Sequence, residues 1–169
     1  DSASRNGIDI SESGRFQVQC GDASQFIMNL GIDMSGSSSL REAGVSNLPD
    51  HLLLNFPLNS PSFLNALRWW PSGEHIESSP RIHVYTFARG DEERTAAEVA
   101  IDMIADGLLP EGGYIEPSKF RGQYFNDELG CNIQAREIRD AAPGKLVICV
   151  SFSATRLLLR RMQGDYGLD

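Results

Sequence analysis

The apolar positions of this chain fall into short runs with two different periods, and their order sets the expected fold. Phe16-Gln17-Val18-Gln19-Cys20 alternates apolar and polar residues, the pattern of a half-buried strand. Gly21-Asp22-Ala23-Ser24 then precedes Phe26, Ile27 and Leu30 at helical spacing, which makes Asp22 a candidate N-cap of a short helix. Ser35-Gly36-Ser37-Ser38-Ser39 reads as a flexible loop. Asp50 to Pro57 carries Leu52, Leu53, Leu54 and Phe56, and Asn55-Phe56-Pro57 follows where a buried parallel strand would give way to a loop. Ser60 and Pro61 stand as N-cap and first residue of a helix with Phe63, Leu64, Leu67 and Trp70 on its apolar face.

A third strand is expected at Arg81–Phe87, followed by a helix from about Glu92 to Leu109 with Ala96, Val99, Ala100, Met103 and Ile104 on one side. Residues 110–131 are rich in glycine, proline and aromatics and read as a long loop. Ile133–Ile138 and Leu146–Phe152 are two further extended runs, and Pro143-Gly144 between them predicts an antiparallel pair. Strands alternating with helices and closing on a hairpin predict an α/β fold, the C-terminal half of a doubly wound sheet with its last strand reversed.

Composition narrows this picture without changing it. The 169 residues suffice for one sizeable domain, and 41% hydrophobic with 22% charged residues is ordinary for a globular protein. No apolar run approaches the ~20 residues of a membrane span. The net charge of −8 argues against non-specific nucleic-acid binding by this chain alone, although Arg156, Arg160 and Arg161 form a local basic tail. Cys20, Cys131 and Cys149 show no CxxC spacing, and Cys20 and Cys149 lie in strand-like runs. Buried reduced thiols are the expectation, which fits an intracellular compartment: cytoplasm, nucleus or mitochondrial matrix.

Few positions carry candidate chemistry. In an open α/β sheet ligands bind just beyond the carboxyl ends of the strands, where Asn55 stands. Its amide can donate and accept at once, and Pro57 fixes φ while removing a competing donor. The bland alternative is that Asn-Phe-Pro is only a turn. Asp22 has two readings as well, helix capping or acceptance of a hydrogen bond from an adenine amino group. Trp69-Trp70 could stack on bases, but beside Pro71 packing is the expectation. His83 reads as a satisfied buried histidine, with no second His or carboxylate at metal-ligand spacing and no metal expected.

In order along the chain, several segments resemble the archaeal and eukaryotic tRNA (guanine-N1)-methyltransferase family. Asp50 to Pro57 followed by Ser62-Phe63-Leu64-Asn65-Ala66-Leu67 is similar to that family's "hvimNLPa…eFLda" segment, with Phe56 in place of leucine. Arg81–Phe87 is similar to "pivHcYcF", and Ile138 to Lys145 with Cys149-Val150-Ser151-Phe152 is similar to "vRdvAPnK…lCvsF". Gly21 to Phe26 resembles the "DgrdFl" turn, with Ala23 and Ser24 departing from its glycine and arginine.

The resemblance implies a fold, a cofactor and a reaction. The fold is the C-terminal portion of a Rossmann-like class I methyltransferase sheet with an antiparallel last strand. The cofactor is S-adenosyl-L-methionine, and the partner is tRNA, methylated at N1 of the guanosine 3′ of the anticodon. By the same resemblance Asp22 and Ala23 contact the adenine, Asn55 lines both the cofactor and methyl-transfer sites, and Pro57 shapes that turn. The general base, and the cation that steadies charge on O6, belong to segments upstream in this family. Its glycine-rich turn, the acidic residue after the second strand and the tRNA-recognition domains have no counterpart in these 169 residues. Residues 1–169 are therefore expected to be a partial methyltransferase domain, completed by the rest of the same enzyme or by a partner chain. Two alternatives stay open: a related aminocarboxypropyl transferase of wybutosine synthesis, and a non-catalytic methyltransferase-like subunit of an RNA–protein assembly.

Overall fold

The computed structural model describes residues 20–36, 48–73, 79–109 and 121–164. Within them one mixed four-stranded sheet organises everything else. β1 (His51–Leu54) runs parallel to β2 (Arg81–Ala88), with Leu54 opposite Val84. β3 (Gln134–Ala142) and β4 (Lys145–Ser153) form a hairpin, and β4 inserts between β2 and β3 to give the order β1-β2-β4-β3. β4 is antiparallel to both neighbours, so it alone is reversed. The expected antiparallel pair and reversed last strand are both present. The strands reach further into their joint than the sequence suggested. A two-residue connection with Gly144 at φ 68° lets the ladder continue to Ala142 opposite Lys145.

The helices are α1 (Ala23–Gly36), α2 (Ser60–Phe63) running on into a 3₁₀ segment (Leu64–Trp69), α3 (Ala96–Leu108), α4 (Arg121–Asp127) and α5 (Arg156–Met162). The strand expected at Phe16–Cys20 lies outside the described residues except for Cys20, which has no regular structure. The loop expected at Ser35–Ser39 falls outside them from Ser37 onward, and α1 takes in Ser35 and Gly36. The N-cap of α2 is Asn59 rather than Ser60, because the Ser60 hydroxyl is drawn into the turn that follows β1. α3 begins later than Glu92. Asp91 accepts from the Glu93 and Arg94 amides (3.0 and 2.7 Å) and holds those residues in a turn, while Thr95 and Glu98 close a capping box. α4 occupies part of a stretch read as loop.

The core lies on one face of the sheet. Ile82, Val84, Ile148, Val150 and Phe152 meet Leu64, Leu67, Ala100, Ile104 and Leu108 in one buried cluster. Each such side chain contributes about 1.5–3 kcal/mol by leaving water. Inside α3, Asp102 is buried and paired with Arg94 at 2.7 Å. Burial pushes its carboxyl above the usual range, against the pull of Arg94. α1 is fixed by the Trp70 indole, which donates to the Ile27 carbonyl at 2.8 Å.

The other face differs from expectation. β1 alternates exposed and buried residues instead of being buried throughout, and Leu53 is 62% exposed. The reason is coverage: β2, which is paired on both sides, alternates in the same way. Among the described residues one face of the sheet thus carries the core and the other is less covered, and β1 is also an edge strand paired only with β2. The cysteines also depart from the sequence reading. All three are free, but Cys20 is exposed, Cys149 half-buried, and Cys131 is the buried one.

Candidate active site

Leu54 ends β1, and the chain then turns sharply through Asn55, Phe56 and Pro57. What shapes that turn is Ser60, which is fully buried. Its Oγ accepts from the Phe56 amide at 3.0 Å and shares its own proton between the carbonyls of Leu54 (3.0 Å) and Phe56 (2.9 Å). The amides of Asn59 and Ser60 also donate to the Phe56 carbonyl, at 3.0 and 2.9 Å. Pro57 is half-buried, and its carbonyl accepts a long 3.5 Å bond from Thr86 on β2. Asn55 is exposed just beyond the carboxyl end of β1. Phe56 is 51% exposed, and its ring lies nearly parallel to that of Phe63 with centroids 6.4 Å apart.

Asp22 stands at the start of α1. Its Oδ1 accepts from the Gln25 amide at 2.9 Å, so the capping reading holds. Ala23 is the first helical residue. Between α1 and the α2–3₁₀ segment lies a half-open cleft of about 230 Å³, lined by Asp22, Gln25, Met28, Ser62, Asn65 and Trp69 among others. The fold thus brings Asp22 against the helix that follows Asn55. Ala23, Asn55 and Pro57 do not line this cleft. Trp70 packs in the core as expected, whereas Trp69 is 56% exposed and forms one wall of the cleft.

Two features of the sheet escaped the sequence reading. The first is a histidine pair. His51 and His83 are neighbours across the parallel ladder, their rings stacked with centroids 5.4 Å apart and Nδ1 of His51 3.1 Å from Nε2 of His83. Ser151 on β4 bonds Nδ1 of His83 at 2.9 Å. His83 is therefore a satisfied histidine as expected, but half-buried, and its partner comes from a distant segment. Burial, with His51 and Arg81 adding to it, holds its imidazole below the usual histidine value. Among the described residues no group of three His, Cys, Asp or Glu side chains could hold a metal ion. The second feature is Arg89, which donates to the carbonyls of Pro143 (3.0 Å) and Gly144 (3.1 Å). It fastens the β3–β4 turn to the end of β2. Lys145, the first residue of β4, sits 4.4 Å over the Phe87 ring.

Comparison with known proteins follows the same outline. The chain is 38% identical to tRNA (guanine(37)-N(1))-methyltransferase 2 of Phaeodactylum tricornutum, over 80% of this chain and 28% of that protein. It is 29% identical to tRNA (guanine(37)-N(1))-methyltransferase 1 of the same organism, over 61% of this chain and 20% of the relative. It is 27% identical to the tRNA (guanine(37)-N(1))-methyltransferase of Drosophila pseudoobscura pseudoobscura, over 71% and 24%. Over most of its length this chain is similar to tRNA (guanine-N1)-methyltransferases. It spans about a quarter of the length of the curated relatives it matches. No family model and no solved structure matches it. The family segments beginning at Asp50, Arg81 and Ile138 fall on β1, β2 and the β3–β4 hairpin, which the sheet sets side by side.

Proposed function

We propose that this chain forms the carboxyl-terminal strands of a class I methyltransferase domain. The complete enzyme transfers a methyl group from S-adenosyl-L-methionine to N1 of the guanosine 3′ of the anticodon in tRNA. The observation that carries the reading is the Asn55-Phe56-Pro57 turn at the carboxyl end of β1, in a sheet whose only reversed described strand lies between β2 and β3. A Rossmann-like sheet with further strands beyond β1 is part of the proposal. The edge position of β1 and the exposure of His51 and Leu53 support it, since a doubly wound sheet is covered on both faces.

The residues present suit the cofactor in part. A cleft of about 230 Å³ beside the Asp22 carboxylate has room for an adenine-sized group. That is less than the ~300–1,000 Å³ of a pocket enclosing a drug-sized ligand. Asp22 would hold the adenine end there, with Ala23 next to it in the chain but outside the lining of the cleft, and Asn55 would lie at the reacting end. Bound S-adenosyl-L-methionine supplies an electrophilic sulfonium methyl group. Asn55 can orient both partners, since its amide donates and accepts at once. Pro57 keeps its own nitrogen from competing. The base for the N1 proton and the cation for O6 come from the remainder of the enzyme in this reading.

An intracellular location, in cytoplasm, nucleus or mitochondrial matrix, goes with the proposal. The free thiols support it. Among the described residues no helix is long and apolar enough to cross a membrane.

The test is nucleoside analysis of tRNA incubated with the complete protein and S-adenosyl-L-methionine. The reading predicts 1-methylguanosine at the position 3′ of the anticodon. An aminocarboxypropyl adduct would give the chain to the wybutosine-pathway transferase instead. An unmodified tRNA would favour the non-catalytic subunit.

A further inference from the structure

Asn55 is set by the two peptide groups that flank its Cα. Its φ turns on the preceding unit, which carries the Leu54 carbonyl, and its ψ on the following unit, which carries the Phe56 amide. Both of those atoms are held by one hydroxyl. Ser60 Oγ lies 3.0 Å from the Leu54 oxygen and 3.0 Å from the Phe56 nitrogen. We propose that Ser60 is a positioning residue for methyl transfer, fixing both backbone torsions of Asn55 and so the place of its amide. The inference rests on the reading of Asn55 given above.

The clamp is itself braced. Ser60 has no solvent exposure, so water does not take over its bonds in the folded state. On the next residue, the Pro61 carbonyl packs so closely on α3 that a Cβ at Gly107 would overlap it. The Ser60–Pro61 step therefore cannot slide along α3. The Thr86–Pro57 bond, at 3.5 Å, is too long to do the same work from the β2 side. Loss of the hydroxyl removes the bond to the part-buried Phe56 amide and a bond to the buried Leu54 carbonyl, one on either side of Asn55. The turn relieves this by rotating, and rotation there displaces the Asn55 amide. A misplacement of ~1 Å in a reacting site costs about 100-fold in rate.

The experiment compares kcat and KM of the complete protein with Ser60→Ala, Ser60→Thr and Ile82→Val, the last a core variant that lowers stability away from the turn. Ser60→Ala is expected to lower kcat by about 10- to 100-fold with KM for tRNA within about 2-fold, well below the Tm. Ser60→Thr, which keeps the hydroxyl, recovers most of that loss, and Ile82→Val leaves kcat unchanged. In the wild type, hydrogen exchange at the Phe56 amide is strongly protected, a readout that needs no variant to fold. A Ser60→Ala kcat no lower than that of Ile82→Val, or fast exchange at Phe56, overturns the role of Ser60. A wild type that transfers no methyl group overturns the reading of Asn55 and this inference with it.

Discussion

Gly31→Ala separates helix propensity from packing, because the two predict opposite signs. Gly31 is buried in α1, and alanine there would favour a free helix by about 1 kcal/mol. In the folded protein the added Cβ would stand 2.6 Å from the Trp69 carbonyl and 2.8 Å from the Trp70 Cα. Both obstacles are backbone, so the helix has to move by roughly 0.6–0.8 Å to restore ordinary contact. That movement stretches the 2.8 Å bond from the Trp70 indole to the Ile27 carbonyl, which anchors the same helix. Overpacking costs about 1–3 kcal/mol and a weakened buried hydrogen bond about 0.5–1.5. Set against the propensity gain, the balance is a loss of about 2 kcal/mol, or ~4–8 °C in Tm for a domain of this size. Since α1 carries Asp22 and one wall of the cleft, its displacement also opens the proposed adenine site. Thermal melts followed by tryptophan fluorescence measure the effect. An unchanged or raised Tm would refute the close approach of α1 to Trp69 and Trp70.

Two further predictions concern titration and reactivity. His83 is held below the usual histidine value in the fold, so the unfolded chain binds its proton first as the pH falls. Stability is therefore lost from about pH 7 downward through ~6.5, and His83→Gln should lose less over that window in urea titrations; equal slopes would contradict the burial of His83 against His51 and Ser151. Burial pushes the Cys131 thiol up to about 12, while Cys20 is exposed. A thiol reagent at neutral pH should label Cys20 within minutes and Cys131 only after denaturant is added, and rapid labelling of Cys131 in the native protein would refute its placement.

Much of the fold was legible because the strongest signals are local. β2 interleaves Ile82, Val84 and Phe87 with polar residues, β4 is a mostly apolar run, Pro143-Gly144 marks a tight turn, and Ala96 to Ile104 repeats at helical spacing. Asp22 as a cap needs only the residues that follow it. What stayed hidden depends on partners distant in sequence. The His51–His83 pair exists because the parallel register sets His51 opposite Arg81, which leaves His83, two residues further on, diagonally across on the neighbouring strand, and no spacing rule reports that. The fate of the cysteines turns on which face of a strand is covered. Cys149 lies in an apolar run yet points to the less covered face, whereas Cys131 precedes a strand and is enclosed. Ser60 looked like a helix cap because serine before proline commonly is one, but the end of β1 offers its hydroxyl buried partners. At the candidate site the motif indicated Asn55, Pro57 and Asp22, while the exposed wall of Trp69 and the Ser60 clamp came from three-dimensional packing.

The central claim is that methyl transfer takes place at the Asn55 turn. The most direct measurement is the single-turnover rate of methyl transfer to tRNA by the complete enzyme, wild type against Asn55→Ala. The account predicts at least a ~10-fold drop, about 1.4 kcal/mol of transition-state stabilisation, with the same melting temperature. A wild-type rate in that variant would remove Asn55 from the reaction.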